Sequence, residues 1–477
     1  MKLYSENKDY KLYEGSMLDM LEVIEPNSID SIVTDPPYGL TSIVKRFGKE
    51  GSVPASTKNN DGSFARLSKG FMGKEWDGSG IEYNIDTWKK CYEVLKPGGY
   101  LLAFGGSRTF HRIACAIEDA GFEIRDTIMW LYGSGFPKSM NIGLAIDKKN
   151  GVESKVVAEG KSGVSSRAYQ SEETTTAGNY EIKEAQNEWQ GWGTSLKPSF
   201  EPIIVARKPF KGSLVDNVIE YGVGGINIDE CRVGTNEKMK SCKRGSGVFS
   251  ETANGKITGW NKDDYNGDYQ PNEQGRFPAN TILTYDETDF DEVCGGFPNT
   301  KGGSIKPFLR KNIQYNCYGE RNKYSTTIYS GDNGGSASRY FYCAKASKKD
   351  RDEGLDTFNE KKVNDGRQTP IDNAFQRGET LRKNTHPTVK PTNLMQYLVR
   401  LVTPNNGTVL DPFNGSGSTG KAVMYENKER NKNYKYIGIE LTEEYLPIAK
   451  ARIEYVCNLE PEVSPQMSIF DLENGNE

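Results

Sequence analysis

Residues 31–38, which read SIVTDPPY, bring together the side-chain types needed to bind a planar amine. The apolar run before Asp35 is typical of a buried strand, and Pro36 and Pro37 end that strand because each fixes φ and removes a backbone donor. Asp35 and the carbonyl of Pro36 can accept the two N–H groups of the amine, while Tyr38 stacks on the ring that carries it. The alternative interpretation is an ordinary turn after a core strand, since a short motif needs confirming context.

A second candidate stretch, residues 408–421, is a short apolar run followed by a glycine-rich loop and the start of a helix. The loop matches the GxGxxG pattern, whereas the Walker pattern for nucleoside triphosphates fails at Ala422, where a hydroxyl is needed to hold magnesium. A dinucleotide site is the alternative, because Glu440 ends the next predicted strand and can accept ribose hydroxyls. Asp411 stands shortly before the glycines, and a carboxylate facing the loop repels a pyrophosphate but favours a cationic ligand such as S-adenosylmethionine.

The elements that must position these residues follow from the apolar periodicity. Helical spacing at 85–95 is followed by a strand at 100–104, a second helix, and a strand at 122–131. This alternation of strands and helices predicts a parallel α/β sheet whose ligands lie beyond the carboxyl ends of its strands. Asp35 is therefore expected at the edge of the sheet where ligands bind.

Composition and charge restrict the class of protein. A chain of 477 residues is long enough for two or three domains, while 35% apolar residues and 51 glycines predict that part of it is polar loop. The formal charge of −4 argues against a globally basic nucleic-acid binder, so any nucleic-acid surface has to be local. Eight cysteines without a Cys-x-x-Cys pair, and only two histidines, argue against a zinc site and a disulfide framework. The absence of a signal peptide or long apolar run predicts a cytoplasmic protein without a membrane partner.

Two polar regions are candidates for contact with nucleic acid. Residues 39–80 form a long polar loop directly after Tyr38, and we interpret them as a flap over the site, with a disordered tether as the alternative. Residues 299–351 hold eleven Lys and Arg against three acids, with aromatic residues between them. Basic and aromatic residues together favour phosphate neutralisation and base stacking. A solvated loop face is the alternative interpretation of this charge run.

Three motifs in one order resemble a single family. They are the DPPY stretch at 35–38, the segment HPTVKP at 386–391 and the loop DPFNGSG at 411–417. In this order they are similar to the β-class amino-methyltransferases of DNA, in which the catalytic half comes first and the S-adenosylmethionine half last. The resemblance covers residues 1–145 and 384–457.

The resemblance implies a Rossmann-like α/β fold with a mostly parallel, doubly wound sheet, a circularly permuted motif order and a large insert that recognises the target. Residues 130–139 and the segment GRFPAN at 275–280 also match the family. The domains that it implies are a catalytic half (1–149, with a mobile flap at 39–80), a target-recognition insert (150–383), a half that binds S-adenosylmethionine (384–457) and a disordered acidic tail (458–477).

The resemblance also assigns roles to single residues. The implied catalytic motif consists of Asp35, Pro36, Pro37 and Tyr38. The implied cofactor-binding residues are Ser16, Asp35, Lys390, Pro391, Thr392, Asp411, Phe413, Gly415, Ser416, Gly417 and Glu440. The family often has an aspartate at the position of Ser16 to contact the adenine, so the serine implies weaker adenine recognition rather than lost binding. His386 is interpreted as a structural residue before a proline, and no metal is implied.

The activity that the resemblance implies is site-specific transfer of a methyl group from S-adenosylmethionine to the exocyclic N6 of an adenine in double-stranded DNA, as in restriction-modification. The base has to flip out of the duplex to be reached. Aspartate rather than serine at position 35 favours adenine, with N4 of cytosine as the alternative because either amine fits the same acceptors. A non-catalytic DNA-binding protein with a decayed methyltransferase fold is a further alternative, and so is a nicotinamide oxidoreductase, although two histidines offer it little. Relatives often form homodimers, and the sequence leaves the oligomeric state open.

The last twenty residues form an acidic tail. Residues 458–477 contain five acids and no Lys or Arg, a composition typical of disorder. Within this tail, the segment from Gln466 to Phe470 resembles the short peptide with which bacterial proteins dock on the replication sliding clamp. A chance apolar patch is the alternative interpretation.

Overall fold

The computed structural model describes residues 1–38, 80–132, 139–161, 179–233, 275–285, 299–300, 309–316, 319–326, 335–336, 341–345, 348–363 and 380–459. The chain divides into two compact units. The first unit comprises Met1–Met129, Gly135–Asn227 and Lys345–Glu477, and the second comprises Trp130–Ser134 and Ile228–Ala344.

Strands and helices alternate through most of the described residues. The strands are β1 (Lys2–Glu6), β2 (Tyr10–Glu14), β3 (Ile29–Thr34), β4 (Leu95–Phe104), β5 (Glu123–Tyr132), β6 (Lys155–Lys161), β7 (Asn179–Glu184), β8 (Phe200–Arg207), β9 (Thr281–Tyr285), β10 (Asn299–Thr300), β11 (Leu309–Asn316), β12 (Gly319–Thr326), β13 (Gly335–Ser336), β14 (Tyr342–Lys345), β15 (Lys361–Val363), β16 (Thr380–Arg382), β17 (Thr408–Asp411) and β18 (Lys435–Glu440). The α-helices are α1 (Ile85–Val94), α2 (Phe110–Asp119), α3 (Ile142–Asn150), α4 (Leu214–Tyr221), α5 (Lys348–Asp352), α6 (Thr392–Val402), α7 (Ser418–Arg430) and α8 (Leu446–Asn458).

The main sheet of the first unit has the strand order β1-β2-β18-β17-β3-β4-β8-β5. Five consecutive strands of this order run parallel to one another: β2, β18, β17, β3 and β4. Strand β1 is antiparallel to β2, and β8 is antiparallel to β4. Strands β17 and β18, which come late in the chain, therefore lie between β2 and β3, which come early. The predicted α/β class, with a mostly parallel sheet, is confirmed.

The core of the first unit is built around β3, which is buried along its whole length. Ile32 of β3 belongs to one apolar cluster with Leu101 of β4 and Leu410 of β17. Trp88 of α1 and Ile117 of α2 belong to the same cluster, and both are fully buried. Because burial of such a side chain stabilises a fold by roughly 1.5–3 kcal/mol, this cluster holds the strand ends in fixed positions.

The described part of the second unit contains β9 and the β11–β12 hairpin, whose strands pair antiparallel. Nε1 of Trp130 donates a hydrogen bond to Oγ1 of Thr284 at 2.7 Å. Ile282 and Leu283 of β9 are fully buried. The segment at 275–280, which is part of the resemblance, belongs to this unit.

The predicted insert at 150–383 contributes to both units. Strand β8 lies in the main sheet beside β4, and residues from Lys345 onward belong to the first unit. The second unit therefore occupies only part of the insert, chiefly Ile228–Ala344. Target recognition by the insert stays a prediction.

Several predicted features fall outside the described residues. They are residues 39–79 of the flap, the tail with Gln466 and Phe470, and the side chains of residues 299–340 in the basic stretch. Their roles stay predictions. Within the described ranges, every helix is too short or too polar to cross a lipid bilayer.

Candidate active site

The carboxyl ends of β3 and β17 lie side by side in the main sheet. Ile32 of β3 pairs with Leu410 of β17, and Oγ1 of Thr34 donates a hydrogen bond to Oδ1 of Asp411 at 2.6 Å. Asp35 and the glycine loop therefore start from neighbouring strands, although 377 residues separate the two hydrogen-bonded partners in the chain. The predicted adjacency of the two motifs is confirmed.

The carboxylate of Asp411 binds protein donors. Its Oδ2 accepts a hydrogen bond from Oγ1 of Thr419 at 2.6 Å, and its Oδ1 accepts one from the backbone N–H of Phe413 at 3.1 Å. The residue is 2% exposed, and burial raises its pKa to about 6. Asp411 thus ties β3, the loop and α7 together, and contact of Asp411 or Phe413 with a cofactor stays a prediction.

Two glycines of the loop have backbone conformations that side chains rarely adopt. Gly415 has φ +53°, and a Cβ there would lie 2.9 Å from Nε2 of His386. Gly417 has φ +75°, and a Cβ there would lie 3.0 Å from Cα of Ala449 in α8. Both glycines are therefore required by close packing as well as by backbone conformation.

Arg452 of α8 supports the loop between these glycines. Its Nη1 donates to the carbonyl oxygen of Ser416 at 2.7 Å and to Oγ of Ser418 at 3.1 Å. The arginine is fully buried, and Ser416 is 3% exposed. Ser416 is thus part of the loop's internal support, and its contact with a cofactor stays a prediction.

Lys421, the lysine of the Walker-like pattern, lies in a buried ion network. Its Nζ is 2.5 Å from Oδ1 of Asp350 and 2.8 Å from Oε2 of Glu353, and the lysine itself is fully buried. Asp350 also accepts a hydrogen bond from the backbone N–H of Thr392 at 2.7 Å. With these partners Lys421 has a structural role, in agreement with the failed Walker pattern. The hydrogen bond to Asp350 places Thr392 beside this network.

Glu440 ends β18 next to the glycine loop. Its Oε2 accepts from the N–H of Gly415 at 2.6 Å, and its Oε1 accepts from the N–H of Thr442 at 2.7 Å. Burial raises the pKa of Glu440 to about 7. Since a carboxylate oxygen has two acceptor sites, each oxygen can still accept a hydroxyl.

Ser16 lies at the same edge of the sheet, because the N–H of Gly15 donates to the backbone oxygen of Glu440 at 3.0 Å. Oγ of Ser16 accepts from the N–H of Leu18 at 3.2 Å and caps the 3-10 helix Met17–Glu22. Its hydroxyl proton can still be donated to a ligand. The structure thus brings Ser16 close to Glu440, and contact of either residue with a cofactor stays a prediction.

Asp35 is part of a cluster with Lys390, Glu201 and Tyr38. Nζ of Lys390 lies 2.6 Å from Oδ2 of Asp35 and 3.5 Å from Oε2 of Glu201. The hydroxyl of Tyr38 donates to the same oxygen of Glu201 at 2.7 Å. The side chains of Lys390, Asp35 and Glu201 are 7%, 19% and 20% exposed. Among the described residues, none donates a hydrogen bond to the buried Oδ1 of Asp35, which is free to accept one from a ligand.

Burial and neighbouring charges shift the pKa values of the residues in this cluster. Burial lowers the pKa of Lys390, but Asp35 and Glu201 outweigh burial and raise that pKa above its ordinary value. Burial raises the pKa of Asp35, and the neighbouring ammonium opposes this rise. Burial, with the two carboxylates, raises the pKa of Tyr38 well above its usual range, so its hydroxyl stays protonated and donates.

The backbone after Asp35 is held in place by neighbouring side chains. The carbonyl oxygen of Tyr38 accepts hydrogen bonds from the hydroxyl of Tyr83 and from Oγ1 of Thr109, both at 2.8 Å. A Cβ at Gly106 would lie 3.2 Å from Cδ2 of Tyr38. Pro36 and Pro37 are buried beneath this arrangement. The ring of Tyr38 thus has a defined position.

The segment at 386–391 begins with His386, which packs against other residues of the protein, and contains Lys390, which belongs to the cluster around Asp35. Nδ1 of His386 lies 3.1 Å from the carbonyl oxygen of Thr388, and burial lowers the pKa of His386 to about 3, so the ring is neutral. Its ring packs edge-on against Tyr445 at 4.6 Å between centroids. These contacts support the structural interpretation of His386. Pro391 directly precedes α6, and its contact with a cofactor stays a prediction.

Glu201 is a residue of the site that the sequence did not predict. This residue lies near the start of β8, which is antiparallel to β4, so β8 begins at the edge of the sheet where the parallel strands end. The available signal was an acid directly before the apolar run at 202–206. That signal identifies a strand but not its direction or its sheet.

Parts of the chain are similar to known Type II methyltransferases. The Type II methyltransferase M.HindIII of Haemophilus influenzae is 23% identical over 231 residues, which cover 45% of this chain and 64% of that protein. M2.LlaDCHI of Lactococcus lactis is 35% identical over 134 residues, 27% of this chain and 44% of that protein. The chain thus matches less than two thirds of the length of these curated relatives.

Among solved structures, the PvuII DNA methyltransferase (cytosine-N4-specific) is 12% identical, covers 97% of this chain and 91% of its own, and has a TM-score of 0.37. Family membership therefore depends on the sequence match rather than on this superposition.

The family model for N6/N4 enzymes, described as DNA methylase, matches residues 29–451. The match spans Asp35, Glu201, Lys390, Asp411 and Glu440, and so includes both motifs that meet at the sheet edge. The resemblance to DNA amino-methyltransferases is confirmed, and the chain belongs to the N6/N4 DNA methylase family.

Proposed function

We propose that the protein transfers a methyl group from S-adenosylmethionine to the exocyclic N6 of a flipped-out adenine in double-stranded DNA. The observation that carries this proposal is the buried Oδ1 of Asp35, which accepts no hydrogen bond from a described residue and lies at a sheet edge shared with the glycine loop. Membership of the N6/N4 DNA methylase family supports it.

The residues at the sheet edge fit S-adenosylmethionine. Glu440 has acceptor sites left for the two ribose hydroxyls, and Ser16 has a hydroxyl for the adenine. Gly415 and Gly417 give the loop the backbone conformation that holds it at this edge. Lys390 and Pro391 would border the methionine end. When bound, S-adenosylmethionine supplies an electrophilic methyl group.

The chain's own residues make the target amine a better nucleophile. Its lone pair is delocalised into the base, which makes it a poor nucleophile. Oδ1 of Asp35 and the carbonyl of Pro36 accept its two N–H groups and favour a pyramidal nitrogen, whose lone pair is then available. Tyr38 stacks on the flipped base and offsets part of the few kcal/mol that flipping costs. Catalysis is therefore mainly alignment and electrostatics.

The methylated base can be identified directly. We expect DNA from cells that express the protein to contain N6-methyldeoxyadenosine, measured by mass spectrometry of its nucleosides. N4-methyldeoxycytidine instead would establish the cytosine alternative. If neither appears while S-adenosylmethionine still binds, the non-catalytic DNA-binding alternative holds. Sequencing that detects modified bases gives the recognition site from the same DNA.

The affinity for S-adenosylmethionine is expected to depend on pH through Glu440. Ribose hydroxyls bind its ionised form, so binding lowers a pKa that burial has raised to about 7. Affinity should then be constant above about pH 7 and should fall, by up to about tenfold per pH unit, below it. Titration calorimetry between about pH 8 and about pH 5.5 measures this dependence.

The matched control for this dependence is Glu440→Gln, which cannot titrate. This variant should bind more weakly and should lose the part of the pH dependence that Glu440 causes. Any remaining pH dependence comes from other titrating groups, among them Asp411, whose pKa is raised to about 6, and the ligand itself. Identical pH profiles for the two proteins would rule out Glu440 as the ribose acceptor.

A further inference from the structure

Thr34 is the last residue of β3 and directly precedes Asp35, and the proposed mechanism assigns it no role. Its side chain is fully buried, and its hydroxyl donates to Oδ1 of Asp411 at 2.6 Å. This length is typical of a hydroxyl that donates to an ionised carboxylate. One hydrogen bond between side chains thus joins the residue before the proposed catalytic aspartate to the residue with which β17 enters the glycine loop.

This hydrogen bond lies where the backbone pairing between the two strands has ended. On one side, β3 pairs with β4 as far as Thr34 and Ala103. On the other side, the described pairing of β3 with β17 ends at Ile32 and Leu410. Because Thr34 lies beyond that last pair, its side chain rather than the backbone ladder connects it to the glycine loop. Removal of the hydroxyl should therefore loosen the end of β3 on the side of the loop.

A second threonine orients the carboxylate of Asp411. Oγ1 of Thr419, in the first turn of α7, lies 2.6 Å from Oδ2 of Asp411 and 3.4 Å from the carbonyl oxygen of Val33. A hydroxyl has one proton to donate, and the shorter distance assigns it to Asp411. The N–H of Phe413 donates to Oδ1 at 3.1 Å. Each carboxylate oxygen thus has a donor, one threonine from β3 and the other from α7, and the carboxylate is held in one orientation.

The glycine loop also has supports that do not involve Thr34. Nη1 of Arg452 donates to the carbonyl oxygen of Ser416 at 2.7 Å and to Oγ of Ser418 at 3.1 Å. Loss of the Thr34 hydroxyl should therefore shift the end of β3 relative to the loop without reshaping the loop. Such a shift displaces Asp35, because consecutive Cα atoms stay about 3.8 Å apart.

The position of Asp35 relative to the glycine loop matters for the proposed reaction. The amine accepted at Asp35 has to meet the methyl group of a cofactor bound at the loop. Reacting atoms have to lie roughly 3–3.5 Å apart and in line, and a misplacement of about 1 Å can cost about a hundredfold in rate. A residue that fixes this position therefore acts on the transfer step.

We propose that Thr34 is a positioning residue for methyl transfer, which holds Asp35 in alignment with the glycine loop through its hydrogen bond to Asp411. This inference rests on the proposed function. It predicts that loss of the hydroxyl slows the transfer step, while the cofactor and its product bind as they do to the wild type.

The test measures methyl transfer in a single turnover, with the full-length protein in excess over genomic DNA from cells without DNA methyltransferases. Thr34→Val keeps the size and branching of the side chain but removes the donor, and it should slow transfer about tenfold to a hundredfold. Titration calorimetry should give affinities for S-adenosylmethionine, and for its neutral product S-adenosylhomocysteine, within about threefold of the wild type. Thr34→Ser restores the donor and should keep most of the wild-type rate.

Ser31→Ala is the matched control for loss of a buried hydroxyl from the same strand. Ser31 is fully buried, and its Oγ lies 2.8 Å from Oγ1 of Thr403. This hydrogen bond connects β3 to the residue after α6 rather than to the glycine loop. Ser31→Ala should therefore lower the free energy of unfolding, as Thr34→Val does, but should keep the wild-type transfer rate. Equal slowing in both variants would show that Thr34 has only a structural role.

The outcomes separate the inference from the proposed function. A wild-type protein that transfers no methyl group contradicts the proposed function. A Thr34→Val variant that transfers at the wild-type rate, or that slows only as far as it loses cofactor affinity, overturns the inference alone. If Thr34→Val fails to fold, Thr419→Val is measured instead, because Thr419 orients Asp411 toward Thr34. An unchanged transfer rate in Thr419→Val then overturns the inference.

Discussion

Replacement of Asp35 by asparagine should reduce the rate of methyl transfer about a thousandfold, the scale seen when one preorganised polar group is removed from an active site. Asparagine keeps the shape of the side chain but presents an amide N–H₂ in place of one carboxylate oxygen. The target amine then meets a donor where it needs an acceptor. Incorporation of labelled methyl groups into DNA measures the rate.

The same substitution should leave binding of S-adenosylhomocysteine close to that of the wild type. Lys390 retains Glu201 at 3.5 Å, so the lysine keeps a carboxylate partner and the fold is preserved. The neutral product is the suitable ligand, because Asp35→Asn also changes the charge of the cluster. Asp86→Asn, at an exposed position on α1, is the matched control and should keep full activity. Near-normal methyl transfer by Asp35→Asn would exclude Asp35 as the acceptor of the amine.

Replacement of Lys421 by methionine should lower the free energy of unfolding by roughly 3–5 kcal/mol, as removal of one partner from a buried ion pair does. Lys421 is fully buried and lies within 2.8 Å of both Asp350 and Glu353. Among the described residues, the ionic contact that Asp350 would keep without Lys421 is the one with Arg452, at 3.9 Å. Equilibrium denaturation in urea, followed by circular dichroism, measures the loss.

An exposed lysine provides the control for Lys421→Met. Lys89 pairs with Asp86 at 3.2 Å on the surface of α1, where both side chains are more than half exposed. Lys89→Met should cost less than about 1 kcal/mol, because surface ion pairs contribute little. A similarly small loss for Lys421→Met would show that the network around Asp350 does not stabilise the fold.

The strand ends that form the site were predictable because the sequence marks them. Asp35 and Asp411 each follow an apolar run and precede a proline, and that pattern identifies a strand, its end and a polar group at the end. Because strands that alternate with helices run parallel, both residues are expected at the same edge of the sheet. The pairing of β3 with β17 agrees with this prediction.

Glu201 was not predictable, because apolar periodicity carries no information on strand direction. It lies 163 residues after Tyr38, within the polar region that was predicted to be an insert. Only the antiparallel pairing of β8 with β4 brings it to the site. Similarly, Lys421 matched a phosphate-binding pattern, and the carboxylates that hold it come from Asp350 in α5 and from Glu353 just after that helix, far away in the chain.

The strand order has a consequence for synthesis on the ribosome. Strands β17 and β18 fill the place between β2 and β3, so the first three strands to emerge have no complete sheet to join until residue 440 has been made. At about 5–20 residues per second, this interval lasts roughly 20–80 s. During that time the nascent chain carries two open strand edges that invite pairing with other chains. We therefore expect the permuted strand order to increase the need for chaperones during translation.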